Sequence, residues 1–249
     1  MTSIERLADF VWNASSGVAF TGAGMSTESG LADFRSPGGV WTRHQVVYYD
    51  EFLRSREARA RYWAMRRELH GEMAGAKPNA GHYALARFEA LDKLAGVITQ
   101  NIDGLHQDAG SQNVIEIHGS SRVIACINCG KEWTPDEVDA MLEAGVDAPD
   151  CDVCGQPLKS RTISFGQPMP QQEMADAADL STAADVYLSL GSSLVVEPAA
   201  SLPRLAKQAG ACLIIINKTE TPLDAVADLV INEPIGATLQ AVREMIDPG

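Results

Sequence analysis

Two sets of residues in this 249-residue chain have types and spacings that could do chemistry. The first is a cysteine quartet, "CINCG" at 126–130 and "CDVCG" at 151–155. Two thiolates two residues apart can reach one ion, and the glycine after each pair relieves the tight turn. Two such turns complete a tetrahedral sulfur site of the kind that suits Zn2+, with Cys126, Cys129, Cys151 and Cys154 as ligands. Disulfides or a redox pair fit poorly with a duplicated CxxCG in an intracellular chain. Four protein ligands leave no position open for a substrate, so the ion is expected to be structural. The fifth cysteine, Cys212, stands alone in the apolar run "ACLIII" and reads as a core thiol.

The second set begins with "AFTGAGMSTESGLADFR" at 19–35, an apolar run that meets a glycine turn. Gly22 and Gly24 would let a backbone approach phosphates closely, and Ser26 and Thr27 can donate hydrogen bonds. The spacing is not the G-x-G-x-x-G of dinucleotide-binding dehydrogenases, and on these residues alone an ordinary tight turn explains it equally well. Further along, "TQNIDGLH" (99–106), "EIHGS" (116–120), "SFG" (164–166), "GSSLVVEPA" (191–199) and "INKTETPLD" (216–224) supply amides, hydroxyls, a carboxylate and an imidazole. A free imidazole titrates near neutrality, so a histidine such as His118 can accept a proton without help from a metal. Taken singly it would more often be a hydrogen-bonded structural histidine.

The elements that must position these residues are legible. Apolar runs of strand length recur at 17–20, 96–99, 113–117, 185–190, 211–216 and 228–231, near-continuous as in buried parallel strands. Helical patterns lie between several of them. Asn79 is placed to cap a helix over 79–94, and a helix over 197–210 is expected with Pro198 near its start and Gly210 past its end. Strands alternating with helices mean an α/β fold with a largely parallel sheet. Five of the runs end in polar or glycine residues ("TGAG", "TQNID", "IHG", "LGSS", "IIN"). In open α/β sheets the ligand crevice lies outside the carboxyl ends of the strands, so one shared site is expected there. Residues 43–78 look helical and residues 123–157 hold the cysteines. Both read as insertions forming a small lobe beside a main domain of 1–42, 79–122 and 158–249.

Composition narrows the function classes. Apolar residues make up 45%, enough for a sizeable core. A net charge of −13 argues against a nucleic-acid partner and favours lysine-rich protein segments. No signal-like start and no apolar run long enough to span a bilayer is evident, so a soluble, cytoplasmic protein is expected. The basic stretch at 54–70 has helical spacing and reads as a solvated face.

The motifs "GAGMSTESGLADFR", "TQNIDGLH", "EIHGS", "SFG", "GSSLVVEPA" and "INKTETPLD", in this order and around the cysteine quartet, resemble the sirtuin family of NAD-dependent protein lysine deacylases. The resemblance runs from about 17 to 240. It implies a Rossmann-like doubly wound parallel sheet with a small zinc-binding lobe and a helical insertion. NAD+ is implied as cosubstrate, one Zn2+ as structural ion, and acylated lysine-containing proteins as partners. In such enzymes the acyl-lysine carbonyl oxygen attacks the ribose carbon that bears nicotinamide, and the acyl group ends on ADP-ribose. By matching motifs, His118 is the expected base. Asp103 would hold the nicotinamide carboxamide, with Ile102 packing on that ring, while Asn101 and Gln100 attend the ribose. Gly22, Ala23, Gly24, Ser26 and Thr27 would line the dinucleotide. Phe34 would shield the reactive ribose face, and Arg35 would add positive charge near the phosphates. Gly191, Ser192, Ser193, Asn217 and Ile235 would take the adenosine end. The peptide would lie as an added strand between "SFG" and "SLVVE". Ile163, Phe165 and Val195 would line the acyl-lysine tunnel, and Gly166 and Leu194 would border the groove. His44, His70, His82 and His106 are expected to be structural or exposed.

Departures from the usual sirtuin wording occur in the cofactor loop and beside the peptide channel. Ala32 stands where proline is usual and is expected to loosen the cofactor loop, and Ser192 stands where threonine is and keeps the hydroxyl. Ser160, Arg161 and Gln167 replace frequent proline, aspartate and glutamate beside the peptide channel. Family members that remove succinyl or malonyl groups carry Tyr-x-x-Arg, whereas here Tyr62 is followed by Met65, with Arg66 one step later. A one-residue step rotates a helix by about 100°, so neutral acyl groups are favoured, acetyl first and longer fatty chains second. The nearest rival is a protein mono-ADP-ribosyltransferase using the same crevice. A dehydrogenase leaves the groove segments and the cysteines unexplained, and a binding module without catalysis leaves His118 unexplained.

Overall fold

The computed structural model describes residues 1–34 and 38–247. Among the described residues nine strands occur in chain order: β1 Gly17–Thr21, β2 Leu94–Thr99, β3 Val114–Glu116, β4 Gly119–Cys126, β5 Glu132–Trp133, β6 Leu158–Thr162, β7 Val186–Leu190, β8 Cys212–Ile216 and β9 Leu229–Ile231. All six expected apolar runs form strands, and they make one parallel sheet ordered β3-β2-β1-β7-β8-β9. Counted along the sheet alone this is the 3-2-1-4-5-6 order of dinucleotide-binding folds, with the chain reversing direction between β1 and β7.

The sheet is apolar on both faces because helices cover both. Every residue of β1 and β7 is buried. Ala19, Leu188 and Ile214 face the helices Ser3–Asn13, Ala80–Ala90 and Ile235–Ile246. Phe20, Tyr187 and Ile215 face Gln171–Thr182 and Ser201–Ala209. Asn79 caps Ala80–Ala90 by accepting from the amides of Gly81 and His82, an arrangement worth about 1 kcal/mol. Its Nδ2 also donates to Met25 O (2.8 Å) and Ser29 Oγ (3.0 Å), tying the helix to the turn after β1. Gly210 ends Ser201–Ala209 in the left-handed conformation, as expected. That helix begins later than its sequence pattern suggests. Pro198 lies outside it, after a cis Glu197–Pro198 bond.

A second, three-stranded sheet, β5-β4-β6, is antiparallel. It packs with the helices Tyr49–Arg54 and Arg56–Ala74 around one core that contains Phe52, Tyr62, Trp63, Ile124, Trp133, Val138 and Leu158. The helical segment and the cysteine segment therefore share a single core.

Candidate active site

At the carboxyl edge of the main sheet lies a cavity of about 890 Å3. All six strand ends contribute to its wall: Gly22–Gly24 after β1, Gln100–Ile102 after β2, His118 after β3, Gly191–Ser193 after β7, Asn217–Thr219 after β8 and Asn232–Ile235 after β9.

Its floor is a cradle of bare backbone at the switch point. The Gly24 amide donates to Gly191 O (2.9 Å), and the Gly22 amide to Leu190 O (2.9 Å). A Cβ on Gly22 would stand 2.7 Å from Gly191 O, and one on Gly24 would stand 2.7 Å from Gly191 Cα. Gly191 itself has φ +64, and a Cβ there would stand 2.4 Å from the Met25 nitrogen. The two turns meet backbone to backbone, which leaves space where a pyrophosphate needs it. The donors Ser193, Thr27 and Asn217 also line this cavity, so the residues present fit a dinucleotide.

His118 is half-buried on the opposite wall. Its Nδ1 lies 3.1 Å from Gln100 O. A carbonyl only accepts, so Nδ1 carries the proton and Nε2 carries the lone pair of the neutral ring. His118 O in turn accepts from the Ile163 amide (2.9 Å). Gly119, at φ +72, follows directly, and a Cβ there would meet Arg161 O at 1.9 Å. Only glycine lets the chain leave the imidazole and run straight into β4 against β6. Gln100 has a second task, since its Nε2 donates to Ser192 Oγ (2.8 Å) and joins the β2 and β7 ends.

Asn101, Ser26 and Asp103 form a chain of hydrogen bonds behind this wall. Asn101 Nδ2 donates to Ser26 Oγ (3.1 Å) and Gly22 O (3.1 Å), and Ser26 Oγ donates to Asp103 Oδ2 (2.7 Å). Asp103 Oδ1 accepts from the Leu105 amide (2.9 Å). Asn101 lines the cavity, whereas Ser26 and Asp103 do not. The Ile102 carbonyl is held by the amide and hydroxyl of Ser121 (3.0 and 2.7 Å).

A deeper polar chain supports this one. The Thr21 hydroxyl donates to Thr99 Oγ1 (2.8 Å), so His106 Nε2, 2.9 Å from Thr21 Oγ1, must be the donor to it. The Asn79 amide donates to His82 Nδ1 (3.3 Å), which puts the His82 proton on Nε2. The two rings lie 4.8 Å apart, almost wholly buried. Burial pushes His82 down to about 4 and His106 to about 3, with His82 adding to the depression of His106. Both are held as structural groups, His106 although it closes the "TQNIDGLH" motif.

The substrate side of the cavity is aromatic and apolar. Phe34, Trp41, Phe165 and Tyr48 follow one another at centroid distances of 5.4, 5.8 and 6.1 Å. Ile163, Phe165 and Gly166 line the cavity, along with Val46, Val47, Tyr62, Met65 and Leu69. Leu194, at φ +54, turns into the core, and Val195 is 58% exposed outside the cavity wall. Val196, Glu197 and Pro198 line it instead. Ala23, Ser192 and Ile235 sit on the wall, and Arg35 lies outside the described residues. Trp41 and Glu233 line the cavity but stand outside every motif, and Glu28 lines it from within "GAGMSTESGLADFR", where sequence alone assigns it no role.

The thiol sulfurs of Cys126, Cys129, Cys151 and Cys154 all lie within 4.8 Å of one another. Cys126 and Cys154 stand 3.4 Å apart, and Cys129 and Cys151 3.6 Å. Four sulfurs at zinc-bond length from one tetrahedral ion would be about 3.8 Å apart. Amides of Asn128 and Cys129 point at Cys126 Sγ and that of Val153 at Cys151 Sγ, as thiolate ligands require. The quartet fits zinc. No member lines the cavity.

The sequence profile of the Sir2 family matches residues 22–198. An NAD-dependent protein deacetylase 1 of Bradyrhizobium diazoefficiens is 48% identical over 240 residues, covering 96% of this chain and 94% of that protein. An NAD-dependent protein deacetylase of Thermodesulfovibrio yellowstonii is 45% identical over 98% of this chain and 95% of its own. Among solved structures, a Sir2 with a p53 peptide and NAD+ superposes with a TM-score of 0.91 at 37% identity, over the full length of both chains. A substituted Sir2 with a deacetylated p53 peptide and 3'-O-acetyl ADP ribose gives 0.92 at 37%, over 98% of both.

Proposed function

The chain belongs to the Sir2 family, and from that premise we propose how it works as an NAD-dependent protein-lysine deacetylase that releases nicotinamide and O-acetyl-ADP-ribose. One observation carries the assignment of roles. His118, with Nδ1–H fixed on the Gln100 carbonyl, faces the same cavity as the glycine cradle at the strand switch.

The dinucleotide lies across Gly22–Gly24 and Gly191–Ser193, with its adenosine end toward Asn217 and Ile235. Peptide main chain pairs beside Ser164–Gly166, and the acyl-lysine enters between Phe165 and Ile163. The acyl oxygen bonds to the ribose carbon as the bond to nicotinamide breaks. His118 Nε2 would then take the proton of a ribose hydroxyl, whose oxygen attacks the former carbonyl carbon. The lysine amine leaves with a proton, a water adds to that carbon, and the bond from it to the oxygen on the first ribose carbon breaks, so the acetyl group ends as an ester on ADP-ribose. Asn101 orients the ribose or a water, supported by its bonds to Ser26 Oγ and Gly22 O. Asp103 serves the nicotinamide carboxamide. Each of its oxygens keeps a lone pair beside its bond from Ser26 Oγ or the Leu105 amide, but Asp103 lies behind the cavity wall, so this needs a local shift that brings it to the wall. Phe34, tilted against Trp41, shields the ribose face from returning nicotinamide.

The apolar wall of Val46, Val47, Tyr62, Met65 and Leu69 favours neutral acyl groups, acetyl first and longer chains second. Arg66 is turned away toward Asp139 (2.6 Å), so among the described residues no arginine stands on that wall for a dicarboxylic acyl group. The net charge of −13 suits lysine-rich partner segments and disfavours nucleic acid. The four thiols arranged for a metal suit a reducing compartment, the cytoplasm. No described helix is long and apolar enough to cross a membrane.

The test is mass spectrometry of an acetyl-lysine peptide incubated with the protein, with and without NAD+. Loss of acetyl only with NAD+, with free nicotinamide and acetyl-ADP-ribose, is expected. His118→Ala should lower that rate by roughly 10²–10⁴-fold while NAD+ still binds. ADP-ribose attached to protein while every acetyl group stays would instead establish the transferase.

A further inference from the structure

The helix Arg56–Ala74 presents two adjacent faces to two different surroundings. Tyr62, Met65 and Leu69 line the cavity. At about 100° per residue they fall within an arc of about 60°. Arg66 and His70 lie on the neighbouring arc and meet one residue, Asp139. Its Oδ1 accepts from Arg66 Nη1 (2.6 Å), and its Oδ2 lies 2.5 Å from His70 Nδ1. Asp139 belongs to the helix Pro135–Glu143, which sits between the two cysteine pairs and adds Val138 to the core shared with Trp63 and Tyr62.

This contact is not an ordinary surface pair. Arg66 is only 6% exposed, and its Nε and Nη2 are buried with no hydrogen-bond partner. Asp139 is the one carboxylate within salt-bridge distance of that guanidinium among the described residues. Two bonds from one carboxylate to residues four apart fix the helix against rotation about its axis. Rotation is the motion that would carry Met65 and Leu69 into or out of the cavity.

We propose that Asp139 is a specificity-positioning residue. It straps the Arg56–Ala74 helix to the cysteine-bearing lobe and so sets the depth of the acyl end of the cavity. It touches neither substrate nor NAD+. The proposal rests on the deacylase reading above. Loosening the strap lets the helix turn, and the pocket then discriminates less against long acyl chains.

The experiment compares wild type with Asp139→Asn on acetyl-lysine and decanoyl-lysine versions of one peptide, under saturating NAD+, with KM for NAD+ measured separately. The ratio of kcat/KM for acetyl over decanoyl should fall by roughly tenfold, below the roughly 10²-fold that a misplacement of about 1 Å can cost. KM for NAD+ and the zinc content should stay at wild-type values. If Asp139→Asn fails to fold, the double variant R66M/D139L removes both charges into a matched apolar contact and should show the same shift. Equal losses on both peptides, an unchanged ratio, or a KM for NAD+ that rises with that for peptide would overturn the proposal. A wild type that turns over neither peptide would instead sink the deacylase reading itself.

Discussion

The buried His82–His106 pair sets a specific pH dependence of stability. Both rings are neutral in the folded protein, with His82 held down to about 4 and His106 to about 3 by burial. In the unfolded chain each titrates near 6.5. Between these values the unfolded state binds more protons, so stability is full above pH 6.5 and falls as pH drops toward 4. At about 1.4 kcal/mol per pH unit, going from 6.5 to 5 costs about 2 kcal/mol per histidine and about 4 kcal/mol for the pair. Two other effects run alongside. A chain of charge −13 loses self-repulsion on acidification, and cysteine thiolates release metal. A difference measurement removes both. The variant H82N/H106Q keeps an acceptor near the Asn79 amide and a donor near Thr21 but cannot titrate. Urea denaturation of both zinc-loaded proteins between pH 7.5 and 5 should show wild type losing about 4 kcal/mol more than the variant. Parallel curves would refute the assignment of buried neutral rings.

Two further outcomes follow from the geometry. Gly191→Ala should destabilise by about 1–3 kcal/mol through its left-handed φ and its clash with the Met25 nitrogen, and abolish NAD+ binding, both measurable by calorimetry. A stable variant that binds NAD+ normally would show that the cradle is not needed. Cys129→Ser, or extraction of zinc by a chelator, should lower the melting temperature and the deacylation rate together, although no cysteine lines the cavity. Full activity in a protein shown by metal analysis to hold no zinc would contradict this.

The six strands were legible because a strand buried on both faces must be apolar throughout, and few other segments are. The convergence of their ends was legible from polar residues following each run. The side-chain partners were not. Asp103 and Ser26 stand in strong motifs, yet they bond to each other behind the cavity wall, a pairing between positions far apart in sequence. Leu194 lies in a peptide-groove motif but turns inward at a left-handed φ that sequence does not announce. Arg66 sits in a basic stretch that reads as a solvated face, and only tertiary packing puts Asp139 beside it. The start of Ser201–Ala209 was misplaced because a proline near a helix start is a common signal, whereas here Pro198 belongs to the turn before it.

The small lobe's single core also orders events during synthesis. Phe52 and Trp63 are fully buried there, but against Ile124, Val138 and Leu158, which leave the ribosome much later. Until β6 emerges, the helices Tyr49–Arg54 and Arg56–Ala74 have no complete partner for these aromatic side chains, and the last two metal ligands, Cys151 and Cys154, arrive only shortly before it. The nascent chain therefore carries exposed aromatic surface from the emergence of Trp63 until that of Leu158, the interval in which chaperone engagement and zinc supply are expected to matter most.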